Sequence, residues 1–367
     1  AIITGAPGVG KSRLRHEFLR RIQKGGNAGT IIVGHASAIG VGQPYSPLAD
    51  ALRRLCGLRG GESLDFQRDR LRDRIGQKLD VQDVQRVTAY IGEMCGIPSA
   101  DSQSLDLRVA RSDPRAMARQ IAAALADFLR AEAREGPLLL MIEDLQWSDP
   151  LTIRCIEDVL ASLREVPLMM VVTARPEVYL SYPKLWKTLN VREIKLQGIS
   201  RKAAERFVAQ MLGRNITPEI MRQIIERADG NALFLEELVR EAAEVGSGAV
   251  PGTMLAMLQA RLARLDASER RVLKAASVVG STFWDGAIVS LLDGPSELIR
   301  SQLDAWLSAL HREEYIERAI SSRFHGQVEY RFSHALMREA AYELLTAEDR
   351  YHGHVAIACF LLTTEQS

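Results

Sequence analysis

Apolar positions along the chain fall into two rhythms. Short unbroken runs at Ile2-Ile3, residues 29–33 (GTIIV), Leu138–Ile142 and Leu168–Val172 read as buried strands of a parallel sheet covered on both faces. Residues 191–196 (VREIKL) supply a further strand, and the first domain closes at Gly198. Between these runs the spacing is helical. Leu14, Phe18, Leu19 and Ile22 share one helix face that ends at Gly25-Gly26, and Met117, Ile121, Leu125 and Phe128 mark a long helix from Pro114 to near Gly136-Pro137. The eighty residues after 33 read as mostly helix and loop, with Arg68–Arg74 (RDRLRDR) as a solvated helix face of mixed sign.

Past Gly198 the strand rhythm stops. Ser200 and Thr217-Pro218 open two helices, Asp229-Gly230-Asn231 ends the second, and Ala232–Val245 forms a third. Together these predict a small helical lid, followed by a Gly-rich linker at Gly246–Gly252. Asp266 and Glu269 make a capping box. Helices near Trp284–Leu292 and Ser296–His311, short strands at Tyr315–Arg318 and Val328–Phe332, and a helix from His334 to Leu345 complete a winged-helix pattern. Residues 346–367 read as the start of another helix. The predicted organisation is an α/β domain at 1–198, a helical lid at 199–249, a winged helix at 250–345 and the beginning of a helical arm at 346–367.

Composition adds limits. The 367 residues are 47% hydrophobic and 25% charged, which gives several cores' worth of apolar material and excludes disorder for the bulk of the chain. A net charge of +1 argues against a protein held to nucleic acid by bulk electrostatics. No apolar run approaches the length of a membrane span and no signal peptide is visible, so a cytoplasmic protein is expected. Cys56, Cys95, Cys155 and Cys359 stand apart, as buried reduced thiols would. The chain opens in Ala1-Ile2-Ile3-Thr4, in mid-strand and without a methionine, and is expected to be part of a longer one.

The chemistry begins at Gly5-Ala6-Pro7-Gly8-Val9-Gly10-Lys11-Ser12, which fits GxxxxGK[ST] at every specified position and lies between a strand and a helix. Glycines let backbone N–H groups turn in around phosphate oxygens, and the helix N-terminus adds partial positive charge. Lys11 would neutralise the β- and γ-phosphates, the Ser12 hydroxyl would hold Mg²⁺, and Arg13 completes the first helical turn around the phosphates. Glu143 and Asp144 end the apolar run Leu138–Ile142, where α/β folds hold their ligands. Glu143 is assigned to magnesium and Asp144 to the attacking water, the reverse assignment staying open. Arg175, at the tip of the following strand, is placed to sense the γ-phosphate, and Trp147 is expected to pack.

Taken together, these motifs resemble the signal-transduction ATPases with numerous domains, the STAND branch of the AAA+ P-loop superfamily. The resemblance is to the ATPase modules of large bacterial regulators attached to Ser/Thr kinase, adenylate cyclase or maltose-regulator-type activator domains. It spans the whole chain and rests on EDLQWSDP at Glu143–Pro150, RADGNALFLEELVR at Arg227–Arg240 and RFSHALMREAAYELL at Arg331–Leu345. It implies an α/β P-loop NTPase followed by a helical lid and a winged helix, acting as a slow Mg²⁺-dependent ATPase. Such a module rests with ADP and assembles with ATP, between an N-terminal effector domain and a C-terminal helical-repeat sensor.

Residue by residue, the resemblance matches Lys11 and Ser12 to the P-loop pair, Glu143 and Asp144 to the acidic pair, and Arg175 to the arginine after the fourth strand. Gly230-Asn231-Ala232 falls where the family has Gly-x-Pro, so Ala232 replaces the proline that packs on adenine. Gln146 stands where many relatives carry histidine. His334 matches a winged-helix histidine that touches the β-phosphate of ADP, although Ala335 replaces the aspartate beside it and a plain helix cap remains the other reading. An AAA+ initiator or loader working on DNA is the alternative, as is an ordinary ATPase or kinase with a small substrate. Residues 251–345 carry 11 Lys/Arg against 12 Asp/Glu, which argues against DNA.

Overall fold

A computed structural model of the chain describes residues 1–25, 29–36, 43–58, 62–99, 105–213, 216–245, 254–292, 296–319, 322, 324 and 326–365. They divide into two compact units, one of Ala1–Thr4 and Arg15–Ile194, the other of Gly5–Leu14 and Lys195–Gln366.

The first unit is built on a parallel sheet. Its strands are β1 (Ile2–Thr4), β2 (Thr30–His35), β3 (Leu138–Glu143), β4 (Leu168–Ala174) and β5 (Glu193–Lys195), ordered β2-β3-β4-β1-β5. Every residue of β3 is buried, as its unbroken apolar run requires. β2 is longer than its apolar run, reaching His35, whereas β5 is only three residues and exposed. The helices are α1 (Lys11–Lys24), of which Lys11–Leu14 count with the second unit, α2 (Ser46–Leu55), α3 (Leu64–Gly76), α4 (Val81–Cys95), α5 (Leu105–Ser112), α6 (Pro114–Glu132), α7 (Pro150–Ser162) and the single turn α8 (Val178–Ser181). Asp113 caps α6, with Pro114 pre-set at its first position, and α6 buries Ile121, Leu125, Phe128 and Leu129. Each such side chain contributes about 1.5–3 kcal/mol of burial.

Two expectations for this unit need correction. The α1 face of Leu14, Phe18, Leu19 and Ile22 forms, but none of its residues is buried. The Arg68–Arg74 face is not wholly solvated either. Arg68 pairs with Asp65 at the surface, whereas Arg74 reaches Glu132 at 2.6 Å, because that carboxylate is only 1% exposed and a buried acid needs a cation.

The second unit contains a three-helix lid, α9 (Arg201–Leu212), α10 (Pro218–Ala228) and α11 (Ala232–Val245). Ser200 and Thr217 cap α9 and α10 through their side chains, and Asp229 ends α10 in the left-handed conformation. Ala204, Val208, Ile224, Phe234, Leu235 and Leu238 form its core. The expected linker at Gly246–Gly252 lies outside the described residues.

The chain continues with α12 (Met254–Arg264), which no sequence signal had marked, then α13 (Ala267–Val279), β6 (Thr282–Trp284), α14 (Asp285–Leu291), α15 (Ser296–Arg312), β7 (Ile316–Arg318), β8 (Glu329–Phe332), α16 (Ala335–Glu343) and α17 (Ala347–Glu365). β6 corrects the expected helix from Trp284: Phe283 and Trp284 are strand residues paired with Tyr330 and Glu329, and the helix starts one residue later. The antiparallel sheet runs β6-β8-β7. Helix, strand, two helices and two strands, with the first strand beside the last, is a winged helix. Three cysteines are buried as expected, but Cys359 is exposed.

Candidate functional site

The glycine-rich segment is a tight loop. Gly8 and Gly10 have φ of +77° and +106°, a region that glycine enters at little cost and other residues do not. The first helical bond of α1 runs from the Leu14 N–H to Gly10 O at 2.9 Å. The N–H groups of Lys11, Ser12 and Arg13 therefore precede the helical ladder and point toward the positive end of the helix dipole. Lys11 Nζ donates back to Gly5 O at 2.7 Å and Ala6 O at 3.0 Å, while Ser12 and Arg13 are exposed.

The first turn of α11 grips this loop from outside. Asn231 Nδ2 donates to Pro7 O at 3.1 Å, and the Leu233 N–H donates to Gly8 O at 3.1 Å. Asn231 Oδ1 accepts from the Phe234 N–H at 3.1 Å, which fixes the carboxamide. A side chain at Gly8 would bring its Cβ within 2.5 Å of Asn231 Oδ1. Ala232 follows as the first residue of α11.

In the sheet, Glu143 is the last residue of β3 and 8% exposed. Parallel register puts His35 directly opposite it, and neighbours in register project from the same face. His35 Nε2 lies 2.9 Å from Glu143 Oε1, His35 Nδ1 lies 3.3 Å from Asp50 Oδ2, and Arg15 forms a short ion pair with Glu143. Burial alone would raise the Glu143 carboxyl, yet contact with His35 and then Arg15 outweighs it and holds the group below the usual range. His35 is the converse: burial pulls it down, but Asp50 and Glu143 win and raise it. Sequence reading missed this histidine. The available signal was the end-alignment of the two apolar runs that become β2 and β3.

A pH effect follows. Because His35 is raised above 6.5, the folded state binds its proton more tightly than the unfolded chain. Its contribution to stability is full below 6.5 and is lost as pH rises through the folded value. Nucleotide-free protein should therefore lose melting temperature as pH rises above 6.5 more steeply than His35→Asn. Parallel curves for the two proteins would remove His35 from this account.

Asp144 follows Glu143 in the left-handed conformation, φ 56° and ψ 45°. Its N–H donates to Thr173 Oγ1 at 3.3 Å, and its Oδ1 accepts from Gln146 Nε2 at 3.0 Å. The Arg175 N–H donates to Gln146 Oε1 at 2.9 Å, so the strand tip and the acid share one neighbour. Asp149 is structural, capping α7 through the N–H groups of Leu151 and Thr152. Trp147, expected to pack, is 36% exposed.

His334 sits at the N-cap of α16 and makes no side-chain cap bond. Burial lowers its pKa, partly opposed by Glu236 and Glu237. Among the described residues no cluster of three or more His, Cys, Asp or Glu could hold a metal ion by itself, and no helix is long and apolar enough to cross a membrane.

Residues 1–172 match the AAA ATPase domain family, and the matched stretch takes in both the Gly5–Ser12 loop and the Glu143-Asp144 pair. The likeness to signal-transduction ATPases within that class rests on the three motifs quoted above. An uncharacterized protein of Rhizobium meliloti (strain 1021) is 23% identical over 379 residues, taking in 95% of this chain. The chain spans about a third of that relative, 33% of its length. Among solved structures, a signal-transduction ATPase with numerous domains and a tetratricopeptide repeat sensor from Pyrococcus horikoshii overlays 92% of this chain and 44% of its own, at 15% identity and a TM-score of 0.43. The Orc1 protein of Aeropyrum pernix, solved in complex with DNA, overlays 94% and 86%, at 12% identity and a TM-score of 0.39.

Proposed function

We propose that the chain is an ATP/ADP-binding switch with slow, Mg²⁺-dependent ATP hydrolysis, controlling a signalling or transcriptional output within a larger multidomain protein. The observation that carries this reading is the Gly5–Ser12 loop, with two glycines at positive φ and three helix-start N–H groups ahead of the first helical bond. Backbone groups of Gly5, Ala6, Pro7, Gly8, Val9 and Gly10 enclose the phosphates, joined by Lys11, Ser12 and Arg13. Ser12 and Glu143 are the magnesium partners. Glu143 suits a hard cation, because its neighbours keep it ionised. Magnesium, when bound, offsets phosphate charge.

Asp144 orients the attacking water and accepts its proton, and Arg175 answers to the γ-phosphate. Ala232 and His334 complete the nucleotide contacts. In this reading residues 1–198 are the nucleotide domain, 199–249 the lid, 250–345 the winged helix and 346–367 the start of a sensor arm. The protein works in the cytoplasm, with an effector domain before it, a helical-repeat sensor after it, and self-assembly on ATP.

The test is to denature freshly purified protein and chromatograph the nucleotide released. Near-stoichiometric ADP supports the switch. An empty site with brisk turnover replaces it with a constitutive ATPase, and DNA binding that falls steeply with salt revives the initiator reading that the 11-to-12 charge balance of residues 251–345 disfavours.

A further inference from the structure

Gln146 has no part in the scheme above, yet its carboxamide is bonded at both ends beside the acidic pair. Its donor end meets Asp144 Oδ1 at 3.0 Å and its acceptor end meets the Arg175 N–H at 2.9 Å. The two ends cannot be exchanged, because an ionised carboxylate only accepts and a backbone N–H only donates. Gln146 therefore has one orientation. On the other side of Asp144, its N–H is held by Thr173 Oγ1 at 3.3 Å. Thr173 lies at the carboxyl end of β4 and Arg175 directly follows that strand, which pairs with β3 in parallel through Ile142↔Val172. Asp144 is thus tied to the neighbouring strand twice, once directly and once through Gln146.

The tie answers a physical need. Asp144 leaves β3 in the left-handed conformation, which costs a residue with a Cβ about 1–2 kcal/mol. A carboxylate that must meet a water within hydrogen-bond reach loses efficiency if it can swing away. We propose that Gln146 is a positioning residue, which fixes the Asp144 carboxylate against the tip of β4 and registers it to Arg175 for ATP hydrolysis. The inference rests on the hydrolytic reading of Asp144 and refines it.

Two variants of the full chain test it. Gln146→Ala removes both bonds. Gln146→Glu keeps the shape and can still accept from the Arg175 N–H, but it sets a carboxylate against Asp144. We expect kcat to fall about tenfold in Gln146→Ala and further in Gln146→Glu, with KM and the affinity for fluorescent ADP within about twofold of the parent. Mild acidification should partly restore Gln146→Glu, since the protonated acid donates as the amide did. Parental kcat in Gln146→Glu overturns the proposal.

If the parent binds ADP but hydrolyses no ATP, the hydrolytic reading fails, and the tie itself is read by hydrogen exchange at the Arg175 amide. Exchange there should rise about tenfold in Gln146→Ala, and unchanged exchange overturns the tie.

Discussion

Lys11→Ala should reduce ATP hydrolysis by about two to three orders of magnitude while leaving the fold intact, the loss expected when one preorganised charge at a phosphoryl group is removed. The geometry explains why activity and stability separate here. Lys11 Nζ donates to two carbonyls of its own loop, Gly5 O at 2.7 Å and Ala6 O at 3.0 Å, and the side chain is half-exposed. Those carbonyls can turn to water when the ammonium goes. Steady-state turnover, fluorescent ADP binding and a thermal melt measure the three quantities separately. Hydrolysis within about threefold of the parent would take Lys11 out of the site.

Glu237→Ala should destabilise the second unit by about 3–5 kcal/mol, the range for stripping one partner from a buried ion pair. Glu237 is 3% exposed, and both its oxygens lie 2.7 Å from Arg261 Nη1, whose side chain is itself 13% exposed. The guanidinium also lies 4.4 Å over the Tyr315 ring and donates through Nη2 to Glu313 O at 2.7 Å. Those contacts hold the cation in place after the carboxylate has gone, so its charge stays buried and uncompensated. Urea unfolding measures the loss. The double variant Glu237→Leu with Arg261→Met should recover most of it, because it removes both charges together. A double variant as weak as the single one would mean that shape rather than charge holds this contact.

The parts of this molecule legible from sequence are those decided locally. Leu138–Ile142 announces a strand buried on both faces because five apolar residues in a row have no polar side to expose. Ser200, Thr217 and Asp266 announce helix starts because a cap acts within three residues, and all three accept the expected backbone bonds. The loop Gly5–Ser12 is legible for the same reason, since its glycines are demanded by its own backbone angles.

What the sequence hides depends on distant partners. β6 is three residues long and becomes a strand only because Glu329–Arg331 lies beside it. His35 acquires meaning only through a register that sets it against Glu143, more than a hundred positions away. Gln146 looked inert because its partners, one on each side, converge only after β3 and β4 pair. Trp147, in the single turn that follows β3, is 36% exposed, which its aromatic character alone did not foretell.

The grip of Asn231 and Leu233 on the carbonyls of Pro7 and Gly8 makes a segment more than two hundred positions downstream part of the phosphate loop's frame. By thermodynamic reciprocity, whatever steadies the loop steadies the beginning of α11 to the same extent, and fraying of α11 is felt as a looser loop. A single helical turn thus works as a two-way messenger, carrying the state of the loop into the helix that also bears Glu237.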